Sequence, residues 1–261
     1  KIGTSHPKEH LMDKARFEEI CDAWLVSERE RIGIGTQSEK SLHAILKRYF
    51  ESDTDLHEVK VGTHIADIAR DGEIVEIQTR DLYRLAPKLS TFLVENRVTV
   101  VYPVVVQKRI FWLDKDTGEC HSARKSSKGG KAVDVLAELY GLKKFLSEPN
   151  LRVCVILLNV NEYRALDGYG KDKKKRATKI DRIPTALLDE IYLETPADYR
   201  LFLPEGLEGA FTSDDYQKAL GCPRWIAGRA LNVLAHLGLL RECGRRGRAK
   251  LYETIEKSYK I

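Results

Sequence analysis

Residues 66–79 read ADIARDGEIVEIQT. Two apolar runs flank the Asp71-Gly72 pair, and each run carries one acid. Asp-Gly between such runs is a strong signal for a two-residue hairpin loop. With that loop, Arg70 faces Glu73, Ala69 faces Ile74, Ile68 faces Val75, and Asp67 faces Glu76. Directly opposed side chains stand about 4.5–5.5 Å apart at Cβ, so two acids there repel unless something compensates them. A divalent cation compensates economically, since Mg2+ takes oxygen ligands and is commonly held by one or two carboxylates. Gln78 lies two residues past Glu76 and shares its face. A plain alternative stays open: Asp67, Glu76 and Gln78 as the solvated face of a half-buried hairpin.

Upstream, KARFEEICDAWLVSERE reads as a charged helix, with Phe17, Ile20, Trp24 and Leu25 near one stripe. Ser38 caps a second helix, EKSLHAILKRYF, in which Leu42, Ile45, Leu46 and Tyr49 form the apolar face. Glu39 lies one turn before Leu42 on that face, and buried acids are rare unless paired or bound to a cation. LHEVKVG is a short strand ahead of THIADIAR. Downstream come a helix around DLYRLAPKLSTFL, interrupted or delayed by Pro87, and the Val-rich strand RVTVVYPVVVQKRIFWLD. A helix AVDVLAELYGLKKFL and the near-continuous apolar strand LRVCVILLNVNEY follow, the latter of the kind buried on both faces. This order predicts a layered α/β domain with a mixed sheet flanked by helices.

The motifs SEKSLHAIL with Glu39, VGTHIADI with Asp67 and IVEIQT with Glu76 and Gln78 resemble the PD-(D/E)xK nuclease superfamily, the restriction-endonuclease-like fold. The resemblance covers about residues 35–160. It implies that Asp67, Glu76 and the carbonyl of Ile77 hold Mg2+ or Mn2+. Glu39 would bind a second metal or orient the attacking water, with Glu58 as its substitute. Gln78 stands at the family's lysine position and would position the water by hydrogen bonding. Lys88 on the next helix could supply the cation instead, and Lys60 less readily.

RKSSKGGK places Arg124, Lys125, Lys128 and Lys131 in a basic loop near a helix start, a setting suited to phosphate. KDKKKRATK is a dense positive run, read first as a solvated loop. Residues 183–210, with prolines at 184, 196 and 204, read as a connecting segment. Beyond them, TSDDYQKAL, PRWIAGRALNVLAHLG and LLRECGRRGRAKLYETI give helix, turn, helix and hairpin, the order of a winged helix-turn-helix. Arg224, Arg229 and Asn232 would meet a major groove, and Arg245, Arg246 and Arg248 the backbone or minor groove. Trp225, Ile226, Leu231, Val233, Leu234 and Leu237 read as core. Histidines 43, 57, 64, 121 and 236 are scattered and read as structural.

The 261 residues are 43% hydrophobic and 32% charged, with a net charge of +5 that permits nucleic acid without demanding it. Five cysteines without CxxC spacing argue against a zinc knuckle or a disulfide framework and point to free thiols in a reducing compartment. No signal peptide or apolar span is read, so a cytoplasmic protein is expected, nucleoid-associated in a bacterium. The chain starts at Lys1, so its native N-terminus is expected to lie upstream. The expected divisions are a helical extension 1–34, a nuclease-like domain 35–182, the connector 183–210 and a winged-helix domain 211–261. The expected activity is metal-dependent cleavage of double-stranded DNA, with a second copy of the chain as a further candidate partner in a homodimer. A DNA-binding regulator with a degenerate nuclease fold is the alternative, followed by an RNA-processing nuclease or a scaffold.

Overall fold

The computed structural model describes residues 12–30, 41–114, 120–167 and 177–255. Glu39 and the lysine run at 171–176 lie outside the described residues. Within them, α1 (Lys14–Glu30) and α2 (Ser41–Phe50) precede three antiparallel strands, β1 (His57–Val61), β2 (His64–Arg70) and β3 (Glu73–Ile77). The 3-10 turn Leu82–Leu85 and α3 (Ala86–Phe92) follow, with Pro87 near the start of α3 where its missing N–H costs nothing. β4 (Arg97–Asp114) then pairs parallel to β3.

β5 (Cys120–Lys125) folds back antiparallel on the far half of β4. A 3-10 turn, α4 (Val135–Leu139) and a second 3-10 stretch, Tyr140–Phe145, lead to β6 (Leu151–Leu166), parallel to β4. β7 (Thr178–Leu193) pairs antiparallel with β6. The path through the sheet is β1-β2-β3-β4-β6-β7, with β5 branching from β4. The fold is therefore a mixed α/β layer structure.

The sheet has a core on each side. Leu89, Phe92, Leu136, Leu139, Val153 and Val155 belong to the first, which takes in α3 and α4. Phe17, Trp24, Leu42, Ile45, Ile68, Val101, Cys154 and Ile156 belong to the second, under α1 and α2. β6 contributes alternate residues to both, as its unbroken apolar run predicts.

Two expectations about the sheet are corrected. Residues 183–210 do not begin as a connector, because β7 runs through to Leu193. Pro184 is tolerated there because β7 is an edge strand and Pro184 sits at a register shift opposite Val160. Arg124 and Lys125 are not in a loop: they close β5, opposite Ile110 and Arg109.

The loop after β5 lies directly on β4. Ser126 N–H donates to Lys108 O at 2.9 Å and Gly130 N–H to Val105 O at 2.7 Å. Between them Val106 is skipped in the β4–β6 register. A Cβ on Gly129 would stand 2.0 Å from Val106 O, so only glycine allows this approach.

The C-terminal segment consists of α5 (Ser213–Leu220), α6 (Arg224–His236) and the hairpin β8 (Leu240–Arg246) and β9 (Ala249–Thr254). Thr212 and Asp215 form a reciprocal capping box at the start of α5, and Gly221 closes it in the left-handed region. Ile226, Ala230, Val233 and Leu234 of α6 join the first core cluster together with α4 residues. Trp225, expected in the core, is 57% exposed, because those residues already form the inward stripe and Trp225 falls off it.

Candidate functional site

β2 and β3 carry their acids to the point where the backbone ladder ends. The register runs Arg70↔Glu73, Ala69↔Ile74 and Ile68↔Val75, as the Asp-Gly turn predicts. Beyond it, side chains replace backbone partners. Ile77 N–H donates to Asp67 Oδ2 at 2.7 Å, and Asp67 N–H donates to Glu76 Oε1 at 3.3 Å. Glu76 is only 1% exposed.

Each acid meets a basic group from a helix. Lys88 Nζ, on α3, donates to the two Glu76 oxygens at 3.1 and 2.8 Å. His43 Nε2, on α2, lies 3.2 Å from Asp67 Oδ2. These helices belong to opposite cores, so the acid pair is approached from both faces of the sheet.

The environments push the two carboxyls apart. Burial, then the charge of Asp67, raises Glu76 to about 7 against the opposing pull of Lys88. Burial would also raise Asp67, but it is outweighed. The hydrogen bond and charge of His43, the Ile77 amide and the charge of Lys88 together hold Asp67 below the usual carboxylate value. Replacing Lys88 with methionine removes the group that lowers Glu76. The Glu76 midpoint, followed by carboxyl-carbon NMR, is expected to move above about 7. An unchanged midpoint would mean that the Lys88 contact is not made in solution.

The donor chemistry fits a hard cation: two carboxylates, with water or a substrate supplying further oxygens. Among the described residues, no cluster of three or more His, Cys, Asp and Glu side chains is arranged to hold a metal ion. Asp67 and Glu76 would therefore carry the protein's charge toward it, with Lys88 giving up part of its hold on Glu76.

Gln78 is anchored locally, its side-chain amide donating to Arg80 O at 2.7 Å. The cation against Glu76 is thus Lys88, named in the sequence as an auxiliary. Glu58, the substitute for Glu39, instead pairs with the buried Lys47 at 2.6 Å, and Lys60 is exposed on β1. His43 was read as structural. Its contact with Asp67 joins residues on two different elements, and its only trace in the sequence was a histidine beside the apolar stripe of α2.

The basic candidates separate into two groups. Lys131 is committed within the fold, donating to Leu220 O at 2.8 Å, the carbonyl that ends α5. Arg229 donates to Ala137 O at 3.4 Å, and Lys143 donates to Asn232 Oδ1 at 2.9 Å. Arg229 and Asn232 remain exposed on α6, and each also makes one hydrogen bond to the helical layer beside it.

Arg224, Arg246 and Arg248 instead line an open cleft of about 470 Å³ with Ser213, Lys250 and Tyr252. Arg224 lies 3.5 Å from Asp214 and Arg246 lies 3.3 Å from Asp215. Arg245, Arg124, Lys125 and Lys128 are exposed.

Comparison with known proteins adds a family. The profile of DUF8091, a domain of unknown function, matches residues 40–194. That span starts next to α2 and ends just after β7, so it takes in the whole seven-stranded sheet. An uncharacterized protein of Treponema pallidum (strain Nichols) is 31% identical over 221 residues, covering 84% of this chain and 86% of the relative. No solved structure matches significantly. None of the described helices is long and apolar enough to cross a membrane.

Proposed function

The chain belongs to the DUF8091 family, and we propose that it is a metal-dependent deoxyribonuclease. In this reading a restriction-endonuclease-like sheet domain cuts, and a C-terminal winged helix positions double-stranded DNA. The observation that carries the proposal is the pairing of Asp67 and Glu76 at the end of the β2–β3 ladder, with Lys88 against Glu76. The element order around it, a helix, a three-stranded meander, a helix and a parallel strand, agrees with the resemblance seen in the sequence.

Phosphodiester hydrolysis needs an oriented water, relief of charge at the phosphorus and a proton path. Bound Mg2+ or Mn2+ would supply Lewis-acid polarisation of the phosphate and lower the pKa of water. Asp67, held ionised by His43 and the Ile77 amide, supplies permanent negative charge for the cation. Glu76, hydrogen-bonded to the Asp67 amide, would supply the second carboxylate to the cation. Lys88 supplies a fixed positive charge beside Glu76 as negative charge grows on the phosphate oxygens. Gln78, tied to Arg80, holds the chain beyond β3 in place. The cleft formed by Arg224, Arg246, Arg248 and Lys250 supplies cations for the duplex backbone.

The second reading, a DNA-binding regulator with an inactive nuclease fold, is favoured by Gln78 at the lysine position. Plasmid cleavage in Mg2+ and Mn2+ separates the two. Wild type is expected to nick and linearise plasmid, while Asp67→Asn/Glu76→Gln leaves it intact. Folding of the variant is checked by circular dichroism. Intact plasmid with both proteins, or equal cutting by both, would defeat the nuclease reading.

A further inference from the structure

Three large aromatic side chains are exposed among the described residues: Tyr83 at 56%, Tyr140 at 40% and Trp225 at 57%. They come from three separate elements, yet contacts join them into one row. Gly141 brings the backbone beside Tyr140 so close to Tyr83 that a Cβ there would stand 2.6 Å from Tyr83 Cβ. Arg229 bridges the other two rings, its guanidinium 5.8 Å from the Tyr140 centroid and 5.5 Å from that of Trp225.

Cations accompany every ring. Arg84 lies 5.9 Å from the Tyr83 centroid and Lys143 lies 5.1 Å from that of Tyr140. The row has defined ends. Tyr83 lies three residues after Arg80, whose carbonyl accepts from the Gln78 side chain just past β3. Trp225 follows Arg224, which lines the basic cleft of the C-terminal hairpin. Leu82 N–H donates to Glu138 Oε2 at 3.1 Å, which ties the turn bearing Tyr83 to α4.

We propose that this row is a track for the unpaired nucleotides of a nucleic-acid strand. It rests on the nucleic-acid reading of the site and goes beyond it by naming a second substrate form. Stacked rings accept any base, because every base has a π face, and adjacent cations neutralise the backbone. The charge balance selects a polyanion over a protein. Arg80, Arg84, Lys143, Arg224 and Arg229 stand in the row against Asp81, Asp214 and Glu138. Tyr, Trp and Arg also occur at protein interfaces, so it is the excess of cations over acids that favours a polyanion. A strand lying along the row would run between the segment that follows β3 and the helix that carries Arg224.

The experiment measures binding in EDTA, so it needs neither metal nor cleavage. Oligothymidylate is titrated against the full chain, reading tryptophan fluorescence and the anisotropy of labelled DNA, with a duplex of the same length in parallel. Wild type is expected to bind the single strand with quenching. Tyr83→Ser and Trp225→Ser, at positions more than half exposed, are each expected to weaken it by roughly tenfold, the loss of about one stacked base. The quenching is expected to vanish in Trp225→Ser. Duplex affinity is expected to change less than about twofold, since backbone contacts carry it.

Single-strand affinity unchanged in both variants overturns the track. So does binding of duplex alone. Failure to bind either DNA, with the variants altering self-association in sedimentation instead, overturns it in favour of a protein contact. Strip-dependent binding without plasmid cleavage leaves the track standing and removes the nuclease reading. Cleavage with no dependence on the strip does the reverse.

Discussion

Glu162→Gln is expected to destabilise the protein by about 3–5 kcal/mol, the usual cost of removing one partner from a buried ion pair. Glu162, on β6, is fully buried. Three cations converge on it: Arg164 at 2.5 Å, Arg182 at 2.8 Å and Lys108 at 3.7 Å. Burial alone would raise its carboxyl. The hydrogen bonds from Arg182 and Arg164 and the charges of Arg182 and Lys108 outweigh burial and hold it down at about 2. Glutamine keeps the shape but leaves three like charges facing one another. For a chain of this size the melting temperature should fall by roughly 10 °C.

The same residue sets a pH signature. Its folded value lies below its unfolded value of 4.5, so its stabilisation is fully present above about pH 4.5. It is lost as pH falls toward about 2. The gap in melting temperature between wild type and Glu162→Gln is therefore expected to be constant near neutrality and to close on acidification through that window. A gap that persists at the acid end would show that the stabilisation does not come from the charge of Glu162.

Gly129→Ala is expected to cost about 3 kcal/mol, at the upper end of ordinary overpacking, because the clash is with backbone. The added methyl would stand 2.0 Å from Val106 O, and a carbonyl in a sheet cannot rotate away as a side chain can. The Gly130 N–H to Val105 O bond lies one residue further along. Hydrogen exchange at the Gly130 amide should therefore accelerate together with the fall in melting temperature. Unchanged exchange and melting would mean that the loop does not rest on β4 in solution. Gly72, which has nothing within 4 Å of its added Cβ but has φ +70, is glycine for a different reason: the backbone of the hairpin turn.

The central sheet was legible because its strands are apolar runs of the right length, and the β2–β3 register followed from Asp71-Gly72 alone. β7 was hidden by its composition. Its single proline, Pro184, and its polar residues suit an edge strand, where one side of the backbone needs no partner. Asp67 and Glu76 were legible as a pair because adjacent strands linked by a tight turn are local in sequence. Their basic partners are not local. Lys88 could be suggested because its helix follows β3 directly. His43 reaches Asp67 only through the packing of α2 on the second core. The exposed Trp225 was misread for a related reason: hydrophobic type locates a helix face, but the partner α4 decides which flank is covered.

The docking of α6 on α4 has a consequence for how the chain can be dissected. Lys131 to Leu220, Arg229 to Ala137 and Lys143 to Asn232 cross the seam between the sheet layer and the C-terminal segment. The same apolar cluster runs through both without a break. Cutting at residue 210 would strip the cover from Val135, Leu136 and Leu139 and leave a fragment prone to aggregate. A core shared in this way predicts a single unfolding transition for both halves, so a lesion in the hairpin that bears the arginines is expected to lower the occupancy of the native state at Asp67 and Glu76 as well.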